Sequence, residues 1–162
     1  MNDILIRRIE KEDNKQMANI IRTVFEEFNL PKVGTVYSDP TTDNLYDLFN
    51  REDSLCFVAA NKGHVVGGGG IYPTIGLPSG FCEFSKFYLL KEARGLGIGK
   101  TILNYCIEGA RQIGYKSIYL ESFPGLESAL EMYKKTGFKY IDKPLGKSGH
   151  FACSIWQQLD ID

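Results

Sequence analysis

A glycine-rich segment in the middle of the chain has the composition of an anion-binding loop. It reads Arg94-Gly95-Leu96-Gly97-Ile98-Gly99-Lys100-Thr101 and precedes a pattern that predicts a helix. Alternating glycines let the backbone approach a ligand closely, and the first N–H groups of a helix have no partner within it. The helix dipole favours an anion at the same end. We therefore predict that Arg94 to Thr101 is a backbone cradle for a phosphate or pyrophosphate.

Several kinds of loop compete for this segment. A nucleotide P-loop needs a glycine where the chain has Arg94, although Gly99-Lys100-Thr101 supplies its second half. A dinucleotide fingerprint needs its third glycine at Lys100 or at Ile102, so neither frame fits. An ordinary strand-to-helix turn explains the glycines less well, because three alternating glycines cost conformational entropy. The remaining pattern is Arg/Gln-x-x-Gly-x-Gly/Ala, which Arg94, Gly97 and Gly99 match.

Two further motifs accompany that pattern, in a fixed order. The strand segment Glu83-Phe-Ser-Lys-Phe-Tyr-Leu precedes the loop, and Ala129-x-x-x-Tyr133-x-x-x-Gly137-Phe138 follows it. With these motifs the sequence resembles the GNAT superfamily of N-acetyltransferases over nearly its whole length. The resemblance implies acetyl-CoA as co-substrate and a mixed α/β (α+β) fold. That fold has a central, mostly antiparallel sheet of about seven strands flanked by about four helices.

The resemblance also implies which residues hold the coenzyme. The pantetheine arm would lie against backbone groups of Phe87, Tyr88 and Leu89. The pyrophosphate would be bound by the loop, whose residues are Arg94, Gly95, Leu96, Gly97, Ile98, Gly99, Lys100 and Thr101. The hydroxyl of Thr101 would add a contact. The family pattern often has asparagine seven residues before the tyrosine, and Leu126 stands there instead, which removes one polar contact.

Glu83 and Tyr133 are the candidate catalytic residues. An acceptor ammonium must lose a proton before it attacks, and the resemblance implies Glu83 as the general base, with Glu121 as the other carboxylate in reach. We expect Glu83 to share a strand face with Ser85 and Phe87. Tyr133 would protonate the leaving thiolate, and the N–H of Leu89 would stabilise the oxyanion. A solvated or ion-paired strand glutamate and a core tyrosine are the structural alternatives.

Other reactive side chains have weaker claims. Cys82 adjoins Glu83, but no histidine is near it in sequence, and direct attack by an amine needs no thiol. His150 either lines the acceptor site or lies on the surface. The four cysteines include no Cys-x-x-Cys pair, and there are only two histidines, so we predict no metal site.

The hydrophobic pattern predicts the elements that position these residues. Four consecutive glycines, 67–70, indicate a bulge or a close backbone approach within one strand. The Phe81–Glu121 strand-helix-strand unit predicts a parallel crossover. Predicted strands are 4–8, 55–60, 64–72, 81–90, 117–121, 138–141 and 151–157, and predicted helices are 13–29, 43–51, 98–113 and 126–136.

Length and charge restrict the class of protein. A chain of 162 residues fits one domain, 1–162. The net charge of −1 gives no reason to expect a nucleic-acid partner. We predict neither a membrane segment nor a signal peptide, and a cytoplasmic location in which the cysteines stay reduced.

The acceptor is predicted only as a small-molecule or peptide amine. The segment Leu30–Glu52 should cover the acceptor side, and its acidic residues either favour a cationic amine or form a solvated surface. They are Asp39, Asp43, Asp47 and Glu52. The family often dimerises, so a homodimer is possible. A catalytically silent acyl-CoA sensor is the alternative function, and it would not need Glu83 or Tyr133.

Overall fold

The computed structural model describes residues 3–162, and its framework is one seven-stranded sheet. The strand order is β1-β2-β3-β4-β5-β7-β6. Only the β4–β5 pair is parallel, which confirms the predicted crossover and the mixed, mostly antiparallel sheet. The strands are β1 (Ile4–Arg8), β2 (Leu55–Asn61), β3 (His64–Tyr72), β4 (Phe81–Leu89), β5 (Ser117–Ser122), β6 (Lys139–Ile141) and β7 (Ile155–Asp160).

Helices cover both faces of this sheet. They are α1 (Asn14–Glu27), α2 (Leu45–Phe49), α3 (Ile98–Ile113) and α4 (Glu127–Thr136). The apolar stripes of α3 and α4 pack on one face, where Ile102, Leu103 and Cys106 are fully buried. The stripes of α1 and α2 pack on the other face with Met17 and Phe25. None of these helices is long and apolar enough to cross a membrane.

The four glycines of β3 permit close packing on both faces of the sheet. A Cβ at Gly69 would lie 3.0 Å from the ring of Phe87, and one at Gly68 would lie 3.1 Å from Met17. A side chain at either position would push away β4 or α1. The predicted close backbone approach is therefore confirmed, and it serves packing.

Strands β4 and β5 separate soon after they pair. Their register covers only Phe81 to Glu83, although β4 continues to Leu89. Beside the separation, a bulge shifts the β3–β4 register, and Lys86 adopts a φ of +59°. The bulge resets the alternation of side chains, so Phe87 packs against Phe84 on the α3 face. The expectation that Phe87 shares a face with Glu83 is wrong, because an inserted residue reverses the alternation.

The end of the chain differs from its predicted form. Strand β7 begins at Ile155, whereas the pattern placed its start at Phe151. Residues 142–154 form a loop whose backbone is bonded elsewhere, since the N–H of Ala152 donates to the carbonyl of Gly34 (3.1 Å). This loop is thereby joined to the α1–α2 connection, and both lie beside the end of β5.

Candidate active site

The opening between β4 and β5 forms a cleft of about 440 Å³. One wall is the end of β4, from Phe87 to Leu89, and the other is the start of α4 with Leu126 and Ala129. The glycine loop closes one end with Arg94, Gly95, Gly97, Gly99 and Lys100. The strand and the loop that the sequence predicts to bind a coenzyme therefore lie around one cleft.

The start of α3 presents unpaired N–H groups at this cleft. Gly97 is its N-cap with a φ of +81°, and Gly95 has a φ of +76°, a conformation that side-chain-bearing residues adopt at a cost. The N–H groups of Ile98, Gly99 and Lys100 are the first of the helix and have no acceptor within it. This is the arrangement that binds a phosphate at a helix N-terminus.

The backbone N–H of Leu89 also points toward the cleft. The N–H of the next residue, Leu90, donates to the carbonyl of Val66 at 2.8 Å. Hydrogen-bonded and non-hydrogen-bonded pairs alternate in an antiparallel ladder, so Leu89 and Gly67 form a pair without bonds. The backbone groups of Leu89 consequently face away from β3, toward the side from which β5 has departed.

The side chains of Arg94 and Thr101, two predicted coenzyme contacts, already form hydrogen bonds within the protein. The guanidinium of Arg94 donates to the carbonyl of Leu89 (2.8 and 3.1 Å) and to the carboxylate of Glu27 (2.7 and 2.8 Å). Arg94 thus ties the loop to β4 and α1. The hydroxyl of Thr101 donates to the carbonyl of Gly97 at 2.9 Å, so its hydrogen is not available to a phosphate.

A smaller cavity of about 30 Å³ adjoins the cleft, with room for one or two water molecules. Glu83, Lys86, Glu121, Tyr133 and His150 are among the residues that line it. Phe87 and Tyr88 line both spaces, so the two meet at the end of β4. The candidate base and the candidate acid therefore line one small cavity, which meets the cleft at Phe87 and Tyr88.

Glu83 is 3% exposed, and its environment favours the neutral carboxyl. Burial, followed by the nearby charge of Glu121, raises the pKa of Glu83 to about 8, against a lowering hydrogen bond from the hydroxyl of Thr74 (2.6 Å). A carboxylate with that pKa accepts a proton near neutral pH more readily than an ordinary glutamate does.

Glu121 and Asp39 form hydrogen bonds with the side chains around Glu83. The carboxylate of Glu121 accepts hydrogen bonds from the hydroxyls of Tyr119 and Ser148, each at 2.7 Å. His150 Nε2 lies 2.8 Å from Asp39 Oδ2, and its Nδ1 lies 4.0 Å from Glu121 Oε1. His150 therefore lines the cavity, and the alternative of a surface histidine is wrong, because the loop 142–154 folds inward here.

Tyr133 is buried on the α4 side of the junction, 6% exposed. Its ring packs against Phe84, Phe87 and Phe138, with centroids 5.7 to 6.4 Å apart. Burial raises the pKa of Tyr133 well above its usual value, so the phenol stays protonated at neutral pH. Within residues 3–162 the hydroxyl has no hydrogen-bond partner, which leaves it able to donate to a ligand atom.

Cys82 is the cysteine next to Glu83 in the sequence. Cys82 is fully buried and lies on the α3 face, and burial raises the pKa of its thiol to about 12, which suits packing and not a nucleophile.

Glu83, Glu121 and His150 each offer a ligand atom within 4.8 Å of the others. Hydroxyl groups donate to both carboxylates, that of Thr74 to Glu83 and those of Tyr119 and Ser148 to Glu121. The absence of a metal stays a prediction.

Comparison with known proteins assigns the chain to a family. A sequence model of the acetyltransferase (GNAT) family matches residues 16–138. The chain belongs to the GNAT family. It is an acyltransferase, and the general reaction of its family is acetyl transfer from acetyl-CoA to an amine. The GNAT-like fold expected from the sequence is confirmed.

Individual relatives agree with this assignment. The GNAT chain is 38% identical to the uncharacterized N-acetyltransferase YjgM of Escherichia coli K12, over 93% of its own length and 91% of the relative's. An acetyltransferase of GNAT family from Staphylococcus aureus Mu50 superposes with a TM-score of 0.82 at 20% identity, covering 98% and 99% of the two chains. A structure of yncA from Salmonella typhimurium with its cofactor acetyl-CoA has a TM-score of 0.79 at 19% identity, covering 99% and 95%.

Sequence reasoning missed several residues of the small cavity. Lys86 and Thr74 were not singled out, and Asp39 stood only among the acidic residues of its segment. A charged pair three residues apart within an apolar strand, Glu83 and Lys86, was the available signal. Glu83 and Lys86 face the same cavity only because of the bulge, and no residue type in β4 predicts that bulge.

Proposed function

We propose that this GNAT chain, as one domain over residues 1–162, transfers an acetyl group from acetyl-CoA directly to a primary amine. The observation that carries the proposal is the junction of the two spaces at Phe87 and Tyr88. A coenzyme along the cleft would end there, beside the carboxyl of Glu83 and the phenol of Tyr133. A non-catalytic acyl-CoA sensor would need neither a general base nor a general acid at that point.

Binding of the coenzyme is assigned to backbone groups. The N–H groups at the start of α3, from Leu96 to Lys100, would hold the pyrophosphate. The exposed backbone of β4 at Phe87 to Leu89 would hold the pantetheine arm. Arg94 acts indirectly in this proposal, because its guanidinium fixes the carbonyl of Leu89 and the position of the loop.

Glu83 removes the proton from the acceptor amine, directly or through a water in the small cavity. One oxygen of its carboxyl accepts from Thr74, which leaves the other for the proton. Acetyl-CoA supplies the acetyl group as a thioester that the amine attacks. The N–H of Leu89 donates to the thioester oxygen, a stabilisation of about 3 kcal/mol for donors of this kind. Tyr133 donates to the departing sulfur.

The proposed setting is the cytoplasm, where the reaction needs no metal ion. All four cysteines are buried and unpaired, as in proteins kept in a reducing compartment.

A screen of amines tests the proposal. The full-length protein is incubated with acetyl-CoA and separate polyamines, amino acids, aminoglycosides and peptides, and free thiol and N-acetylated product are measured. We expect thiol and product in equal amounts with at least one amine, and a large loss of both in the Glu83→Gln/Tyr133→Phe double variant. Binding of acetyl-CoA without thiol release for every amine would identify a sensor instead.

A further inference from the structure

Lys86 is a buried lysine on the wall of the small cavity. Its side chain is 3% exposed, whereas lysines are rarely buried unless they are paired. It lies three positions after Glu83, so in a regular strand the two side chains would point to opposite faces. The bulge with φ +59° at Lys86 reverses that alternation, and both residues line one cavity.

The ammonium of Lys86 has more hydrogen-bond donors than the protein uses. Within residues 3–162 its one acceptor is Asp39 Oδ2, at 3.1 Å. An ammonium has three N–H donors, so two remain. Asp39 itself is saturated, because it also accepts from His150 (2.8 Å) and from the N–H and hydroxyl of Thr41 (2.9 and 2.7 Å).

The acidic groups around Lys86 only partly offset the burial of its ammonium. Burial lowers the pKa of Lys86, and the charges of Asp39 and Glu83 only partly oppose that effect. Glu83 is neutral over much of the neutral pH range, because its own pKa is raised to about 8. A ligand anion at Lys86 would supply the missing partner for the two remaining donors.

We propose that the acceptor is a small free α-amino acid, whose carboxylate binds Lys86 while its amine faces Glu83. This inference rests on the proposed function and names the acceptor class of the same site. The small cavity then offers a cationic donor for the carboxylate and a base for the amine, the complement of a zwitterion, and the rest of the amino acid would extend toward the cleft past Phe87 and Tyr88.

The acidic residues near the site give little support to a polycationic acceptor. Asp39 is saturated, and Asp43 forms a two-point ion pair with Arg22 at 2.7 and 3.0 Å. Asp47 and Glu52 are exposed on the surface. Lysine side chains of proteins and peptide N-termini lack a carboxylate next to the amine, so they cannot use Lys86 in this way.

Matched acceptors test the inference on the unmodified protein. Each α-amino acid is compared with its carboxamide and with the alkylamine that lacks the carboxyl group. The kcat/KM values are expressed per free-base amine, because the three amines differ in pKa. We expect the amino acid to exceed both analogues by about 10- to 100-fold, the range of a charge-assisted hydrogen bond.

Variants connect this preference to Lys86. Lys86→Met should reduce the preference for the amino acid over its carboxamide to within about threefold, mainly through KM. The control Lys62→Met, at an exposed turn lysine, should leave the ratio unchanged. Thermal melting shows whether each variant is folded, and the comparison on the unmodified protein does not depend on any variant.

The outcomes separate this inference from the proposed function. Equal or better acetylation of the carboxamide or the alkylamine overturns the amino-acid assignment and leaves acetyl transfer standing. A preference that persists in a folded Lys86→Met variant overturns the role of Lys86. No thiol release with any amine overturns both.

Discussion

Two carboxyl groups, those of Glu83 and Glu121, line the small cavity with oxygen atoms within 4.8 Å of each other. Like charges at that distance do not ionise together readily, so one carboxyl holds its proton to a higher pH. The carboxylate of Glu121 accepts hydrogen bonds from the hydroxyls of Tyr119 and Ser148. Burial is the larger cause of the raised pKa of Glu83, about 8, and the charge of Glu121 adds to it.

The raised pKa of Glu83 predicts the pH dependence of the reaction. The base form of Glu83 appears above its pKa, so kcat/KM should rise as pH passes through about 8. Glu121→Gln removes the neighbouring negative charge, and the rise should move to lower pH. Glu83→Gln should abolish the rise attributable to this group. The control Glu131→Gln, on the exposed side of α4, should keep the original profile.

Tyr133 gives a second prediction at the level of one residue. Tyr133→Phe keeps the ring contacts with Phe84 and Phe138 and removes only the hydroxyl. We expect kcat to fall at least about 10-fold, with little change in the dissociation constant for acetyl-CoA. Tyr140→Phe, on exposed β6, is the control. Full turnover in Tyr133→Phe would limit this tyrosine to packing.

Helix α3 determines the position of the glycine loop. It begins at Ile98 and ends at Ile113, as the sequence predicts, because an apolar stripe is bounded by Gly97 and Gly114, both in the left-handed region. Both glycines have open space around the missing Cβ, so only their backbone conformation requires glycine.

A pair of substitutions separates the stability of α3 from binding at its start. Gly97→Ala and Gly114→Ala should each lower the free energy of unfolding by about 1–2 kcal/mol, because both force alanine into the left-handed region. Only Gly97→Ala should also weaken acetyl-CoA binding, measured by calorimetry. Equal binding by the two variants would show that the N-terminus of α3 does not hold the coenzyme.

Strand β4 shows where sequence reasoning reaches its limit. Its bounds are correct to one residue, because alternation and flanking loops determine them. The bulge at Lys86 is not visible, since lysine rarely adopts a positive φ and no glycine marks the place. The assignment of faces beyond Ser85 was therefore reversed, and Lys86 was left out of the predicted site.

Loops limit the prediction in the same way. The start of β7 was placed four residues early, at Phe151, because Phe151 to Cys153 looks like the start of a strand. In the structure Ala152 bonds to Gly34, and His150 reaches Asp39 across 111 positions of sequence. Such long-range contacts depend on the tertiary fold, and no local spacing encodes them.

The buried carboxyl of Glu83 also affects the stability of the whole molecule. Its folded pKa, about 8, lies above the usual value of 4.5, so the folded state binds more protons between those pH values. Stability contributed by the neutral carboxyl is fully present below about 4.5 and is lost as pH rises through 8.

Thermal unfolding can measure that contribution. Between pH 5 and 9 the melting temperature of Glu83→Gln should fall less than that of the unmodified protein, because the amide cannot ionise. Parallel curves for the two proteins would contradict a raised pKa at Glu83. Glu131→Gln again serves as the control at an exposed site. The homodimer stays a prediction.

Direct transfer between two bound substrates is the central claim, and initial-rate kinetics test it most directly. Thiol release is measured over a matrix of acetyl-CoA and amine concentrations, using an acceptor found in the amine screen. Direct attack at the junction predicts intersecting double-reciprocal lines, with one N-acetylated product formed per thiol and no acetylated protein when the amine is left out. Parallel lines together with an acetylated protein would contradict the account, because they would require a covalent intermediate that the buried cysteines and Glu83 are not proposed to form.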